Sequence, residues 1–291
     1  MDNTTAKVSC FARAYHFENN SVPIFSDSIA KKLLGEDYEQ IAESMRQGIS
    51  FFLPGFSGTE EEGLRRIVDK QLSPSVLGRS IFCEKALEEH VKNGCGQYLI
   101  FASGYDTFSF RNQQPFLQVY ELDLPDVLED KQKRGEDAGL FSKACYVPCD
   151  LAEEGWKDKL FEKGYDREKK AFGSLLGISY YLEKAAWKKL MQTLATFMTK
   201  GSAICFDYPS VEESKETMTN KELASGAGEQ MKAQYGCEEM EQLLDACGFM
   251  IQEHLGHKDM TQDYFGEYNR HAPAHQITAP RGVSYVLAVR R

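Results

Sequence analysis

An apolar strand that breaks at a glycine, followed by a second strand that ends in acid, constrains the fold of this chain more than any other feature. Tyr98 to Ala102 is an unbroken apolar run that stops at Ser103-Gly104, and the next apolar run ends with Glu121 and Asp123. Glycine at such a turn lets the backbone approach a ligand closely. An acid about 20 residues after that glycine is placed to accept hydrogen bonds from a ribose in nucleoside-binding βαβ units. We therefore expect an adenosine-containing cofactor at the carboxyl ends of these two strands.

The remainder of the chain alternates between strand and helix patterns. Residues 185–199 carry an apolar stripe at helical spacing, and a similar stripe at 238–247 ends just before Gly248. This alternation predicts an α/β fold of the Rossmann-like, doubly wound type, with a mostly parallel seven-stranded sheet and helices on both faces. The predicted strands are residues 97–102, 117–123, 144–149, 172–181, 202–208, 249–255 and 283–289.

The last two predicted strands depart from this rhythm. They are separated by residues 256–282, which are rich in His, Tyr and Pro and show no clear crossover helix. A strand that follows such a connection can pair antiparallel to its neighbours. We therefore predict that the final strand is the antiparallel one.

Residues 1–93 show helical patterns and are predicted to form an α-helical extension that covers the pocket of a core at residues 94–291. Helices are predicted at Glu60 to Leu72 and at Ser80 to Lys92. The aromatic segment between Ile49 and Phe56 is interpreted as a piece of hydrophobic core, with a lid or substrate-pocket wall as the alternative.

Composition limits the partners that this chain can bind. The formal net charge is −10 and no basic block is present, which argues against nucleic acid. No apolar run approaches the roughly 20 residues of a membrane span. The eight cysteines are scattered without a CxxC pair and no signal peptide is visible, so reduced thiols and a cytoplasmic location are predicted.

The glycine turn itself argues against a dinucleotide. Dinucleotide folds use G-x-G-x-x-G, whereas this turn reads Ala102-Ser103-Gly104 with no third glycine. Asp106 would also place negative charge beside a diphosphate. Neither argument applies to a sulfonium cofactor, which is cationic and carries no phosphate.

Several sequence blocks together resemble the leucine carboxyl methyltransferase family, in particular its bacterial O-methyltransferase branch. A doubly wound sheet with an antiparallel final strand is itself characteristic of class I methyltransferases. The blocks are Phe11-Ala-Arg-Ala14, Gly78-Arg-Ser-Ile-Phe82, Phe101-Ala-Ser-Gly-Tyr-Asp-Thr-Phe108 with Arg111, Tyr120-Glu-Leu-Asp-Leu-Pro125, Cys149-Asp-Leu151, Leu176-Gly-Ile-Ser-Tyr-Tyr-Leu182 and the region of Gly228-Glu-Gln230.

The resemblance implies S-adenosyl-L-methionine as cofactor and assigns roles to particular residues. Arg79 would pair with the cofactor carboxylate, and Arg13 would help to close the pocket. The backbone from Ala102 through Ser103 to Gly104 would lie under the methionine portion. Asp123 would hold the ribose hydroxyls, with Glu121 as the second candidate. The remaining positions are Asp150 and Leu151, which would flank the adenine.

Two residues depart from the family pattern. Ala102 stands where the family has its first glycine, and Leu176 stands where it usually has an acid near the cofactor ammonium. These departures motivate one alternative function, a non-catalytic S-adenosylmethionine-binding protein of the same fold. A nicotinamide-dependent oxidoreductase is the third interpretation.

The acceptor is predicted only as a carboxylate or hydroxyl of a small molecule or peptide C-terminus. A carboxylate is already ionised at neutral pH, whereas an alcohol or phenol requires a base. Candidates on the substrate side are Tyr180, Tyr181, Tyr208 and His254. The spacings His254-x-x-His257 and His271-x-x-x-His275 are ligand-like but fall on unsuitable segments, and no metal site is predicted.

Overall fold

The computed structural model describes residues 3–211 and 232–291. Its centre is one seven-stranded sheet in the order β3-β2-β1-β4-β5-β7-β6. The strands are β1 (Gln97–Phe101), β2 (Gln118–Asp123), β3 (Cys145–Pro148), β4 (Ala171–Leu175), β5 (Ala203–Pro209), β6 (Phe249–Leu255) and β7 (Val283–Arg290). All neighbouring pairs are parallel except those of β7, which lies antiparallel between β5 and β6. The predicted fold class is confirmed.

The helices of the first third of the chain precede the sheet. They are α1 (Thr4–Glu18), α2 (Ala30–Leu34), α3 (Asp37–Gln47), α4 (Ile49–Phe52), α5 (Glu60–Ile67) and α6 (Ser73–Lys92). A π-helical turn, Val68–Leu72, joins α5 to α6. The predicted boundary between residues 93 and 94 falls in the turn after α6, but side chains of α6 pack into the core beside the sheet. The division into extension and core stays a prediction.

The later helices connect the strands. They are α7 (Phe108–Arg111), α8 (Pro125–Asp137), α9 (Trp156–Glu162), α10 (Lys184–Phe197), α11 (Cys237–Ala246) and α12 (His257–His271). Buried apolar side chains form one cluster on each side of the sheet and a third among the N-terminal helices. Among the described residues, no helix is long and apolar enough to cross a membrane.

The connection between β6 and β7 corrects one expectation. Residues 256–282 were predicted to contain no clear crossover helix, yet α12 occupies most of this segment. Its buried side chains Met260, Phe265 and Tyr268 lie at helical spacing on the face that packs toward α6. The final strand is nevertheless antiparallel, because β7 is inserted between two strands that run the other way.

Two further segments differ from their predictions. The fourth strand ends at Leu175 rather than continuing to residue 181, because Gly177 adopts a left-handed conformation with φ of 72°. The segment that begins at Ile49 contributes no fully buried side chain: Phe51 is 65% exposed, and Phe52 lines the large cavity described below. Ile49, Phe52 and Leu53 pack against the cluster of the N-terminal helices, so the segment contributes to that core, and Phe52 is also part of the pocket wall.

Candidate active site

A cavity of about 810 Å³ lies at the carboxyl ends of β1, β2 and β4. The strand side is formed by the turns that follow these strands, from Phe101 to Asp106, at Asp123-Leu124 and from Leu176 to Ile178. The opposite wall, the helical wall, comes from α1, α3, α4, α5, α6 and the π-helical turn. Ligands of open α/β sheets bind at this edge, where the strand order reverses on either side of the first strand.

The turn after β1 is held in an unusual backbone conformation. Ala102 has φ of 48° and Gly104 has φ of 47°. Among the described residues, Ala102 is the one non-glycine residue with positive φ. The turn is closed by the amide of Asp106, which donates to the carbonyl of Ser103 at 2.8 Å. The buried Oγ of Ser103 lines the cavity and has no hydrogen-bond partner in the protein.

The strain at Ala102 gives a stability prediction. A left-handed alanine is disfavoured relative to glycine because its Cβ approaches the following carbonyl oxygen. We expect Ala102→Gly to raise the free energy of unfolding by about 1 kcal/mol, measured by urea denaturation. Ala138→Gly, in a residue with φ of −88° at the end of α8, is the matched control and should destabilise. Equal effects of the two substitutions would show that Ala102 carries no strain.

Asp123 is fixed by the strand-one turn that it faces. Its Oδ2 accepts the amide of Gly104 at 2.7 Å, and its Oδ1 accepts the amide of Leu124 at 2.7 Å. Each carboxylate oxygen keeps a second lone pair, as the two hydroxyls of a ribose require. Burial raises the pKa of Asp123 above 3.8, and the two amide hydrogen bonds partly offset that rise.

Arg79 reaches the cavity from α6. Its Nη2 donates to Ser9 Oγ at 3.2 Å, and its Nη1 lies 3.8 Å from the carboxylate of Asp207. The guanidinium packs so closely on Gly177 that a Cβ there would come within 2.6 Å of Nη1. A planar guanidinium held in this way suits a carboxylate ligand.

Asp207 was not among the predicted site residues. It is fully buried near the end of β5, where its Oδ1 accepts the amide of Gly177 at 2.7 Å and its Oδ2 accepts the hydroxyl of Tyr180 at 2.9 Å. It therefore supplies a buried carboxylate beside the turn in which Leu176 replaces the family's acid. An aspartate inside the apolar run of β5 is the one sequence signal that could have identified it.

The N-terminal helix is tied to the strand-one turn by charged groups. Arg13 donates from Nε to Asp27 at 2.8 Å and from Nη2 to the carbonyl of Tyr105 at 2.7 Å. Asp27 also accepts the hydroxyl of Thr107 at 2.7 Å. Arg111 donates to Thr107 Oγ1 at 3.0 Å and forms a paired ion contact with Glu84. Thr107 and Arg111, which belong to the family-like block at Phe101 to Phe108 with Arg111, thus connect the turn after β1 to the N-terminal helices.

The predicted cofactor residues separate into two groups. The cavity is lined by Arg13, Arg79, Ala102, Ser103, Gly104, Asp123 and Leu176. Glu121, Asp150 and Leu151 are not among its lining residues. Glu121 is buried in an ion pair with Lys131 of α8, Asp150 accepts the amide of Ala152 at 2.8 Å, and Leu151 packs on the core. The Gly228-Glu-Gln230 block lies outside the described residues.

Only some of the four substrate-side candidates lie at the cavity. Tyr180 and Tyr181 line the cavity, whereas Tyr208 and His254 do not. Burial, and then the adjacent Asp207, raise the pKa of Tyr180 well above 10. Because its hydroxyl already donates to Asp207, Tyr180 is poorly suited to act as a base. Within the described part of the chain, no group of three His, Cys, Asp or Glu side chains is arranged to hold a metal ion.

The cavity fits a cationic adenosine cofactor better than a dinucleotide. Asp106 and Asp123 are its two acids among the described lining residues, and they oppose a diphosphate. Three groups of the cavity would hold such a cofactor. The Oγ of Ser103, which has no partner in the protein, would hold a hydroxyl, and the remaining lone pairs of Asp123 would hold the ribose. The guanidinium of Arg79 would hold a carboxylate.

Comparison with known proteins identifies the chemistry. YktD of Bacillus subtilis (strain 168), provisionally named as an S-adenosyl-L-methionine-dependent methyltransferase, is 34% identical over 99% of this chain and 97% of its own length. A protein of Mycobacterium avium (strain 104) with the same provisional name is 29% identical over 55% of each chain.

Two solved structures share the fold at low identity. A DUF574 family protein from Streptomyces avermitilis MA-4680 superposes with a TM-score of 0.58 at 12% identity, covering 99% of this chain and 97% of that one. An O-methyltransferase family protein from Burkholderia thailandensis superposes with a TM-score of 0.51 at 10% identity, covering 95% and 75%.

The sequence model of the family described as leucine carboxyl methyltransferase matches residues 6–195. This span contains most of α1 and the turns after β1, β2 and β4 that form the strand side of the cavity. The chain belongs to the leucine carboxyl methyltransferase family and is an S-adenosyl-L-methionine-dependent methyltransferase.

Proposed function

We propose that this methyltransferase acts on oxygen, and that its acceptor is a carboxylate of a small molecule or of a peptide C-terminus. S-adenosylmethionine supplies a methyl group bound to a positively charged sulfur. Arg79, Ser103, Gly104 and Asp123 would hold this cofactor, leaving the helical wall of the cavity for the acceptor. A hydroxyl acceptor is the second form of the proposal.

The choice of a carboxylate depends mainly on the groups that line the cavity. Its described lining residues include no histidine and no cysteine, and the hydroxyl of Tyr180 is committed to Asp207. An alcohol or phenol acceptor would need a base within hydrogen-bond reach, whereas a carboxylate needs only alignment. Lys232 supplies a cationic group at the cavity in addition to Arg79, which would hold the cofactor.

The helical wall indicates the remainder of the acceptor. It is largely apolar, with Met45, Phe52, Ile67, Leu72 and Val76 among its members. Gln71, on the π-helical turn, adds an amide whose buried Oε1 has no partner in the protein. An apolar molecule that carries a carboxylate and a hydrogen-bond donor, such as a peptide N–H, would match these groups.

If the acceptor is a carboxylate, Tyr180→Phe should lower kcat only slightly. A general base contributes about 100-fold to 10,000-fold in rate, so its loss would be obvious. We expect kcat to fall by less than about 10-fold, because the substitution removes a hydrogen bond to Asp207 and no proton acceptor. Tyr181→Phe tests the second tyrosine of the cavity in the same way, and Tyr165→Phe, whose buried hydroxyl lies outside the cavity, is the control. A loss of 100-fold or more in Tyr180→Phe alone would assign the base to Tyr180 and favour a hydroxyl acceptor.

The acceptor class can be tested with methyl-labelled cofactor. Purified protein is incubated with pools of carboxylic acids, peptides, alcohols and phenols, and the labelled products are treated with mild alkali. A methyl ester releases labelled methanol, whereas a methyl ether keeps its label. Alkali-stable label would overturn the carboxylate proposal and leave the hydroxyl form. Label that never leaves the donor, while binding is measurable, would favour the non-catalytic alternative.

A further inference from the structure

A thiol, an imidazole and a phenol form a hydrogen-bonded row outside the cavity. Cys237 is the first residue of α11, and its Sγ lies 3.2 Å from Nδ1 of His254, near the carboxyl end of β6. Nε2 of the same histidine lies 3.0 Å from the hydroxyl of Tyr208, near the carboxyl end of β5. None of the three lines the cavity. A nucleophile, a base and a group that orients the base, in this order, form the arrangement of an activated thiol.

The imidazole is held in position for this role. The ring of Tyr208, which is fully buried, stacks on His254 with 5.9 Å between centroids and 11° between planes. Burial lowers the pKa of His254 below 6.5, although Glu241 of α11 and Asp259 of α12 act in the opposite direction. A neutral ring whose Nε2–H donates to Tyr208 leaves Nδ1 free to accept the thiol proton. The two acids would then stabilise the imidazolium that forms.

Solvent access distinguishes the thiol of Cys237 from those of the other cysteines. All eight cysteines lie within the described residues, and Cys237 is the exposed one; Cys145 is partly exposed and the remaining six are buried. Burial raises the pKa of Cys10 to about 12 and that of Cys149 to about 11, so these thiols are poor nucleophiles. Cys237 combines solvent access, a helix N-terminus and an adjacent base.

We propose that Cys237 is a site of thiol–disulfide exchange, with His254 as its base and neutral or cationic low-molecular-weight disulfides as its reactants. The thiol proton passes to His254 Nδ1, and the thiolate attacks one sulfur of the disulfide. The disulfide S–S bond breaks as the new one forms. One half stays bonded to Cys237, and the other leaves as a thiolate that takes the proton from His254.

The preference for neutral or cationic reactants follows from the surrounding charge. Glu238 and Glu239 occupy the first turn of α11, and Glu241 follows them. Lys184 pairs with Glu239, while Glu238 and Glu241 leave the surface near the thiol acidic. An anionic disulfide would be repelled by this surface, and a dicationic one would be attracted.

The test measures disulfide exchange on the reduced full-length chain with cystamine, a dication, and with oxidised glutathione, an anion. Intact mass counts the adducts and peptide mapping locates them. We expect a single cystamine adduct at Cys237 that forms at least about 10-fold faster than the glutathione adduct and faster than at any other cysteine. Cystamine reaction at another cysteine first, or equal rates for the two disulfides, would overturn the proposal.

A substitution at His254 tests its role as the base. We expect His254→Asn to slow exchange at Cys237 by about 10-fold near pH 7 and to restore the steep pH dependence of an unassisted thiol. Cys145→Ser is the matched control and should leave the rate unchanged. If His254→Asn does not fold, the wild-type pH profile decides. A rate that rises tenfold per pH unit from about pH 6 to about pH 8 would contradict base assistance by His254.

Discussion

Asp123→Asn is expected to weaken S-adenosylmethionine binding by about 10-fold to 150-fold, which corresponds to the 1.5–3 kcal/mol of hydrogen bonding to a charged group. The carboxylate of Asp123 lines the cavity and is held by the amides of Gly104 and Leu124. An asparagine keeps one carbonyl oxygen but offers an NH₂ group where an oxygen faced an amide. We therefore also expect some loss of stability, so the affinity is measured by calorimetry on protein whose folded fraction is known from circular dichroism.

Asp166→Asn is the matched control for this substitution. Asp166 also accepts a backbone amide, that of Glu168 at 3.0 Å, but it lies at the amino end of the sheet beside a separate small pocket. Its loss should leave the dissociation constant unchanged. Unchanged affinity in Asp123→Asn as well would show that another group holds the ribose.

The raised pKa of Asp123 gives two pH trends of opposite sign. Affinity for the cofactor should fall as the pH drops from neutral through this raised pKa, because the ribose hydroxyls lose an ionised acceptor. In the free protein the same group binds more protons when folded than when unfolded. Its contribution to the free energy of unfolding is therefore present below pH 3.8 and is lost as the pH rises through the folded pKa. Asp123→Asn should remove both trends.

Asp27→Ala is expected to destabilise the fold by about 3–5 kcal/mol, the usual cost of leaving one member of a buried ion pair without its partner. The carboxylate of Asp27 is fully buried and accepts hydrogen bonds from Arg13, Thr107 and the amide of Ala30. Burial alone would raise its pKa, but Arg13 and Arg111 outweigh burial and hold the pKa below 3.8. Urea denaturation measures the loss.

Glu18→Ala is the control for Asp27→Ala. Glu18 pairs with Lys31 in the same N-terminal region, but both side chains are 40% exposed or more, and such pairs contribute at most about 1 kcal/mol. If Asp27→Ala does not fold, Asp27→Asn keeps the hydrogen-bonding shape and should still destabilise more than Glu18→Ala. Equal effects at the two acids would show that Asp27 does not anchor the N-terminal helices.

The part of the site that could be predicted comes from two strands that follow each other in the sequence. The glycine turn and the acid of the next strand were visible because the carboxyl ends of adjacent parallel strands meet at one edge of a sheet. Gly104 and Asp123 do meet, at 2.7 Å. The family resemblance ranked Asp123 above Glu121, but strand geometry could not separate them, because residues two apart in a strand share a face. In the structure α8 covers Glu121 and pairs it with Lys131, whereas Asp123 lies at the open end of the strand.

The other residues of the site could not be placed from the sequence, because their positions depend on strand order and on contacts between distant segments. His254 does lie near the carboxyl end of its strand, but β6 is the edge strand and lies beyond β5 and β7 from the cavity. The buried acids Asp27 and Asp207 accept side-chain hydrogen bonds from residues 14 to 80 positions away in the chain. No local pattern reports such contacts. The helix between β6 and β7 was missed because its polar, histidine-rich composition outweighed the spacing of Met260, Phe265 and Tyr268.

A crystal structure with S-adenosylhomocysteine bound would show directly where this chain holds its cofactor. We predict that both ribose hydroxyls lie within hydrogen-bond distance of the Asp123 carboxylate and that the amino-acid carboxylate lies on Arg79. The sulfur should then face the helical wall that contains Gln71 and Phe52. A ribose held by Glu121 or Asp150, or a cofactor outside this cavity, would contradict the assignment of this cavity and of Asp123.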